Sequence, residues 1–231
     1  MPETKIIVCL ANSWKNHGRC VAGVELINGR PRAWIRPVSA RDGHAVDLTE
    51  LELFGGGDPA PLDILKVPLL TAQPKGHQTE NWLLDPTRWW SKIGEYHWSD
   101  LVNLKDKPVD LWGTGDSSGK GTNDRVAESA AMYLTSSLAL IRVRELELHV
   151  FDGGFGQVKR EVRAIFRYGQ ATYNLAVTDP VYRDEYLSRD DGRYQLGACY
   201  LTVSLAEPFH GFCYKVVAAV LGSGVPPEGN R

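Results

Sequence analysis

Residues 4–39 read TKIIVCLANSWKNHGRCVAGVELINGRPRAWIRPVS, and their pattern decides how the first half of the chain folds. TKIIVCLAN (4–12) is a compact apolar run rich in β-branched residues, which predicts a strand. After the polar stretch SWKNHGR (13–19), CVAGVELI (20–27) and RPRAWIRPVS (30–39) read as two more. Asn28-Gly29 separates them, and this dipeptide suits the tight hairpin turn in which both central residues need positive φ. The stretch therefore predicts a three-stranded antiparallel meander.

Working outward, Asp47 followed three residues later by Glu50 forms a capping-box pattern. It predicts a short helix that ends before Gly55-Gly56-Gly57. LDILKVPLLTA (62–72) and QTENWLLD (78–85) return to strand character. The order is strand, strand, strand, helix, strand, strand.

Residues 138–222 give the same order again. SLALIRVRELELHVF (137–151) reads as one long strand with room for a bend at Val143. VKREVRAIFRY (158–168) and ATYNLAVT (171–178) follow. Asp179-Pro180 supplies an N-cap and an N1 proline for a short helix through Tyr186. RYQLGACYLTVSL (193–205) and FCYKVVAAVL (212–221) supply the last two strands.

Three strands, a helix and two strands is the element order of the five-stranded OB barrel. The expected fold is mostly β with minor α: two tandem OB-like barrels at 1–85 and 138–222. Residues 86–137 would join them as an aromatic, Gly/Ser-rich and partly helical region, and 223–231 would form a loose tail. A single larger barrel or a PUA-like α/β barrel would give a similar string.

Composition narrows the function. Of 231 residues, 43% are hydrophobic, enough for two cores, and the formal net charge of −2 excludes a globally basic nucleic-acid coater. Anion binding must then come from local patches. Cys9, Cys20, Cys199 and Cys213 lack zinc-site spacing and read as small core residues. The six histidines show no ligand spacing either, so neither metal nor cofactor is expected. With no apolar run long enough for a span or a leader, the expected location is cytoplasmic.

Candidate binding residues lie mainly in the first half. Alternation places Arg32, Trp34 and Arg36 on one strand face, where an aromatic ring between two guanidinium groups could stack a base and hold phosphate. Asn12, Ser13, Lys15, His17 and Arg19 belong to the neighbouring first loop. Arginine beside tryptophan on a strand is equally a packing pair. In the second half, Lys159, Arg163 and Arg167 alternate along one strand, with Asp179, Tyr214 and Lys215 as further candidates.

GTGDSSGKGTND (113–124) has glycines and a lysine but not the spacing of a nucleotide phosphate loop, so it reads as a solvent loop, although its backbone N–H groups could still hold an anion. Asn123, Asp124 and Arg125 would cap and open the next helix. Ser117-Ser118-Gly119-Lys120 matches Ser-x-x-Lys without its supporting partners. No nucleophile–base pair or carboxylate pair emerges, so the catalytic residues are unknown and a non-enzymatic role is favoured. All seven tryptophans lie at or before Trp112, and adjacent Trp89 and Trp90 cannot share one core face.

The strings VCLANSWKNHGRCVAGVEL with WIRPVS, then QTENWLL, LWGTGDSSGKGTNDRV, VTDP and SLAEPFHGFCYKVVAAVL, resemble the bacterial dual OB-containing domain family (DuOB). The resemblance covers nearly the whole chain. It implies two OB folds and a role in binding nucleic acid or a nucleotide, as an accessory factor in conflict, defence or nucleic-acid processing systems. Single-stranded or modified nucleic acid, a nucleotide or a protein partner are the ligands it leaves open, as is an enzyme acting on nucleotides. It carries over no catalytic residue.

Overall fold

A computed structural model describes residues 2–15, 18–152 and 160–222. The chain divides into two compact units, Met1–Lys105 with Thr135–Leu138, and Asp106–Leu134 with Ala139–Arg231. Residues 86–137 are thus shared between the two units.

The first unit holds β1 (Glu3–Lys15), β2 (Gly18–Ile27), β3 (Arg30–Val38), a one-turn helix α1 (Leu48–Leu51), β4 (Asp63–Ala72), β5 (Asn81–Leu84) and β6 (Ser91–Glu95). Asn28 and Gly29 both take positive φ, 52° and 73°, as the hairpin turn requires. Asp47 accepts from the Thr49 amide, and Glu50 reaches back to the Asp47 amide, completing the capping box. Strands β1, β2 and β3 form an antiparallel meander. β3 pairs parallel with β5, β5 antiparallel with β4, and β4 antiparallel with β1. The hydrogen-bonded ladders therefore run one-two-three-five-four and return to strand one. Ile7, Cys9, Val21, Ile35, Leu65, Val67 and Trp90 are among the side chains that fill this core.

The second unit holds β7 (Arg125–Ala127), α2 (Glu128–Ala131), β8 (Leu138–Val143), β9 (Leu146–Asp152), β10 (Arg160–Tyr168), β11 (Ala171–Val177), α3 (Pro180–Leu187), β12 (Gly192–Leu196), β13 (Cys199–Phe209) and β14 (Phe212–Gly222). Its sheet order is β12-β9-β10-β11-β14-β13-β8, with β7 added alongside β14. The predicted long strand breaks just after Val143, so β8 and β9 act as two halves of one bent strand. One half pairs with β13 and the other with β10, which reproduces the one-two-three-five-four order of the first unit. Leu148, Val162, Ala164, Tyr173, Leu175, Val203 and Val217 belong to its core.

Three expectations change. RYQLGACYLTVSL, read as one strand, divides into β12, paired with β9, and β13, paired with β14. The stretch 86–104 is not helical at its start: it supplies β6, which pairs with β4, and then a 3-10 turn at Trp98–Asn103. The helix expected to open after Asn123, Asp124 and Arg125 is only the single turn α2, too short to be stable without its packing on the sheet. Trp90 is fully buried while Trp89 is 59% exposed, the split their adjacency demands. Cys9, Cys199 and Cys213 are buried and Cys20 is half-buried, all as free thiols. Burial pushes the Cys9 and Cys199 thiols up to about 12, which suits packing rather than reactivity. Among the described residues no helix is long and apolar enough to cross a membrane.

Candidate anion-binding cavity

The predicted face on β3 is not a platform of three. Arg32 is exposed and Trp34 half-exposed, but Arg36 is only 2% exposed. Its Nη2 lies 3.1 Å from Glu80 Oε1 and donates to Ser137 Oγ at 2.9 Å, while Nη1 donates to Asn81 Oδ1 at 3.3 Å. Ser137 also donates to Glu80. Alternation does put Arg36 on the outward side of β3. Segments 80–81 and 137 then cover that side, so its guanidinium serves a buried ion pair rather than a ligand surface.

The residues expected in the first loop are also redistributed. Asn12 and Ser13 belong to β1 and are buried, Asn12 donating to the Pro59 carbonyl at 2.8 Å and Ser13 to the Cys20 carbonyl at 3.4 Å. Lys15 is half-buried at the end of β1. Arg19 turns its guanidinium 3.9 Å over the exposed ring of Trp14. His17 lies outside the described residues. Asn12 and Ser13 are thus structural, and Trp14 with Arg19 forms a cation–π pair beside Lys15.

In the second unit the structure brings together three of the secondary candidates. Arg163, Tyr214 and Lys215, with Ser118, Gly119, Lys120, Asp124, Ala176 and Val216, line a cavity of about 270 Å³. Arg167 is exposed further along β10 and is not among them, and Lys159 lies outside the described residues. Asp179 is a helix cap: one carboxylate oxygen accepts from Val181 and Tyr182, and the other accepts from the Val220 amide at 2.9 Å.

The cavity is walled on one side by the segment predicted to be a solvent loop. Residues 113–124 are instead a strap laid across the sheet. Gly115 donates to Asn123 Oδ1, Asn123 donates to the Thr172 carbonyl on β11, and Thr122 pairs with Asn174. The Lys215 amide on β14 donates to the Asp124 carbonyl at 2.8 Å. Asp124 does not cap a helix, and Arg125 opens β7. Asp124 anchors the strap instead: Oδ1 accepts from the Ser118 amide, and Oδ2 accepts from Ser118 Oγ and from Arg163 Nη2 at 3.0 Å. Gly121 is required here because a Cβ would lie 1.8 Å from Asp124 Oδ2 and 2.4 Å from Arg163 Nη2.

Arg163 is the chemical centre. It is 5% exposed, with Nε on Asn174 Oδ1 at 2.8 Å and Nη2 shared between Asp124 and the Asn174 carbonyl. Among the described residues Nη1 has no hydrogen-bond partner, and it is not fully shut off from solvent. A held guanidinium with one nitrogen unengaged beside a cavity is a donor waiting for an acceptor. Lys120, half exposed on the strap, adds a second cation, which rests on Glu161 at 2.6 Å.

Lys215 plays a different part. Tyr214 and Val216 alternate with it on β14, and its ammonium donates to the Gly113 carbonyl at 2.7 Å, 5.5 Å from the ring of the core residue Tyr173. No carboxylate among the described residues reaches ion-pair distance of it, and burial lowers its pKa to about 8 against the opposing pull of Asp110, Asp124 and Asp116. Lys215 thus fastens the start of the strap. The side chains of Ser118, Lys120 and Asp124 were not singled out as binding residues in the sequence because nothing local shows that the strap folds back on β10. The one available signal was the density of small and acidic residues around a lysine.

No group of three or more histidine, cysteine, aspartate or glutamate side chains among the described residues could hold a metal ion. No curated protein and no solved structure matches the chain. The sequence profile of the dual OB-containing domain family matches residues 5–220, nearly the whole chain, and the protein belongs to that family.

Proposed function

We propose that this chain is a binding module for a phosphate-bearing ligand of the nucleotide or single-stranded nucleic-acid class, and that the second unit holds the phosphate. The observation that carries this reading is the open Nη1 of Arg163 beside a cavity that also presents Lys120 and Tyr214. A phosphate oxygen there would gain a charge-assisted hydrogen bond from a nitrogen already held in place by Asp124 and Asn174. Tyr214 offers an aromatic ring at the same wall, a surface on which a base could stack. The first unit adds a lesser surface of Trp14, Lys15 and Arg19, with Arg32 and Trp34 on β3. The family supports an OB-fold binding module, and an accessory role in nucleic-acid processing or conflict systems is the setting the resemblance implies.

Fluorescence anisotropy with short labelled single-stranded DNA and RNA, at low and moderate salt, tests the reading. The expected result is saturable binding that weakens as salt rises and weakens further in Lys120→Ala. Absence of binding by folded protein to these probes and to nucleoside phosphates would refute it, and would point to a protein partner.

A further inference from the structure

We infer that the cavity is built for a terminal phosphate, a phosphomonoester on a mononucleotide or at the end of a strand, rather than for the internal phosphodiesters of a continuous strand. This rests on the proposed phosphate-binding reading of the same site.

The first argument is room. At about 270 Å³ the cavity is slightly below the roughly 300–1,000 Å³ usual for small-molecule sites. It matches one small group, whereas sequence-tolerant strand binding by an OB fold uses a groove that tracks about 4–16 nucleotides. The second is depth. Arg163 is 5% exposed and lines the cavity beside Ser118, Gly119, Lys120 and Asp124 of the strap, so a small group meets it more readily than a chain laid across the surface. An internal phosphate carries an ester arm on each side, and both arms must leave past the same walls. A terminal phosphate has one arm and turns three oxygens inward.

The third argument is charge. Arg163 and Lys120 are each matched by one carboxylate, Asp124 and Glu161. Asp124 is fixed by three donors, so it cannot withdraw. Glu161 holds Lys120 through a half-exposed side chain, which can turn from the carboxylate to an incoming anion. A phosphomonoester carries about −1.5 to −2 at neutral pH, against −1 for a diester. Its higher charge makes it the stronger competitor with Glu161 for Lys120. Ser118 reinforces the preference. Its hydroxyl donates to Asp124 while accepting from the Lys120 and Gly121 amides, so the strap is held in shape before any ligand arrives.

The experiment is a competition series with the full chain, using a labelled 5′-phosphorylated trinucleotide as probe. Competitors are the same trinucleotide with a 5′-hydroxyl, its 3′-phosphorylated form, a nucleoside 5′-monophosphate and inorganic phosphate. The inference expects roughly 10- to 100-fold weaker competition from the unphosphorylated trinucleotide than from the phosphorylated ones. It also expects that advantage to shrink in Lys120→Ala and in Arg163→Lys, whose folding is checked by near-UV circular dichroism. Competition by the monophosphate as strong as that by the 3′-phosphorylated trinucleotide supports the inference with one nucleotide sufficing, and competition only by phosphorylated trinucleotides supports it with strand ends as the ligand. Equal competition with and without the phosphate, lost together in Arg163→Lys, overturns the terminal-phosphate inference and leaves the phosphate-binding reading intact. A preference for phosphorylated ligands that survives both substitutions also overturns it, because the phosphate is then read elsewhere. No binding by any of the compounds overturns both.

Discussion

Among the described residues each unit buries one arginine against a carboxylate, and the two guanidinium groups are engaged differently. Arg36, on β3 of the first unit, has both terminal nitrogens engaged, Nη1 by Asn81 and Nη2 by Glu80 and Ser137. Arg163, on β10 of the second unit, is held as firmly through Nε and Nη2, but its Nη1 has no hydrogen-bond partner among the described residues and the residue lines a cavity. Burying an ion pair returns little net stability, since desolvation offsets most of the attraction. What such a pair provides is a charge in a fixed place. In the first unit both terminal nitrogens close the structure, and in the second one of them stays unengaged.

The sharpest way to break the comparison is Arg36→Met. It would leave Glu80 buried and unpaired, and the expected cost is about 3–5 kcal/mol of unfolding free energy by denaturant titration. A cost below about 1 kcal/mol would mean that Arg36 is no strut. Gly121→Ala comes next. Its Cβ would collide with the Asp124 carboxylate and Arg163, so a loss of about 1–3 kcal/mol is expected. Gly119→Ala, where a Cβ meets nothing within 4 Å, should stay within about 0.5 kcal/mol. Equal effects at the two glycines would show that the strap is not packed on the ion pair.

Lys215 sharpens the comparison through pH. Its pKa is lowered by burial from 10.5 to about 8, and the groups around it are Asp110, Asp116, Asp124, Tyr173 and the Gly113 carbonyl. Between these values the unfolded chain binds the proton and the folded one does not, so this residue's contribution to stability rises with pH from about 8 to about 10.5. The slope should approach about 1.4 kcal/mol per pH unit. Comparing denaturant midpoints at the two ends of that window, wild type should gain stability relative to Lys215→Met. Parallel behaviour of the two proteins would mean that the ammonium is not desolvated. The smallest effect is expected at Arg32→Ala on the exposed end of β3, within about 0.5 kcal/mol. A larger loss would mean that this end is covered as Arg36 is.

Much of the fold was legible because its signals are local. The Asn28-Gly29 turn, the Asp47/Glu50 capping box, the Asp179-Pro180 helix start and the break after Val143 each depend on residues a few positions apart. The site was less legible because its geometry is set by distant chain. Alternation correctly turned Arg36 outward, but the cover comes from residues 45 and 101 positions away. Arg163 was a weak candidate until Asp124, 39 positions earlier, folded back to fix it beside a cavity. Strand β6 was hidden because aromatic SKIGEYHW offers no clean alternation.

The most direct test of the claim that the second unit holds the ligand is a two-dimensional 1H–15N NMR titration of the full chain with a 5′-phosphorylated trinucleotide. The account predicts that the Arg163 side-chain Nε–H signal and the Gly119 and Lys120 amides move together and saturate, with the Trp34 indole signal little changed. Saturating movement of the Trp14 and Trp34 indoles, with the Arg163, Gly119 and Lys120 signals still, would contradict it and return the binding surface to the first unit.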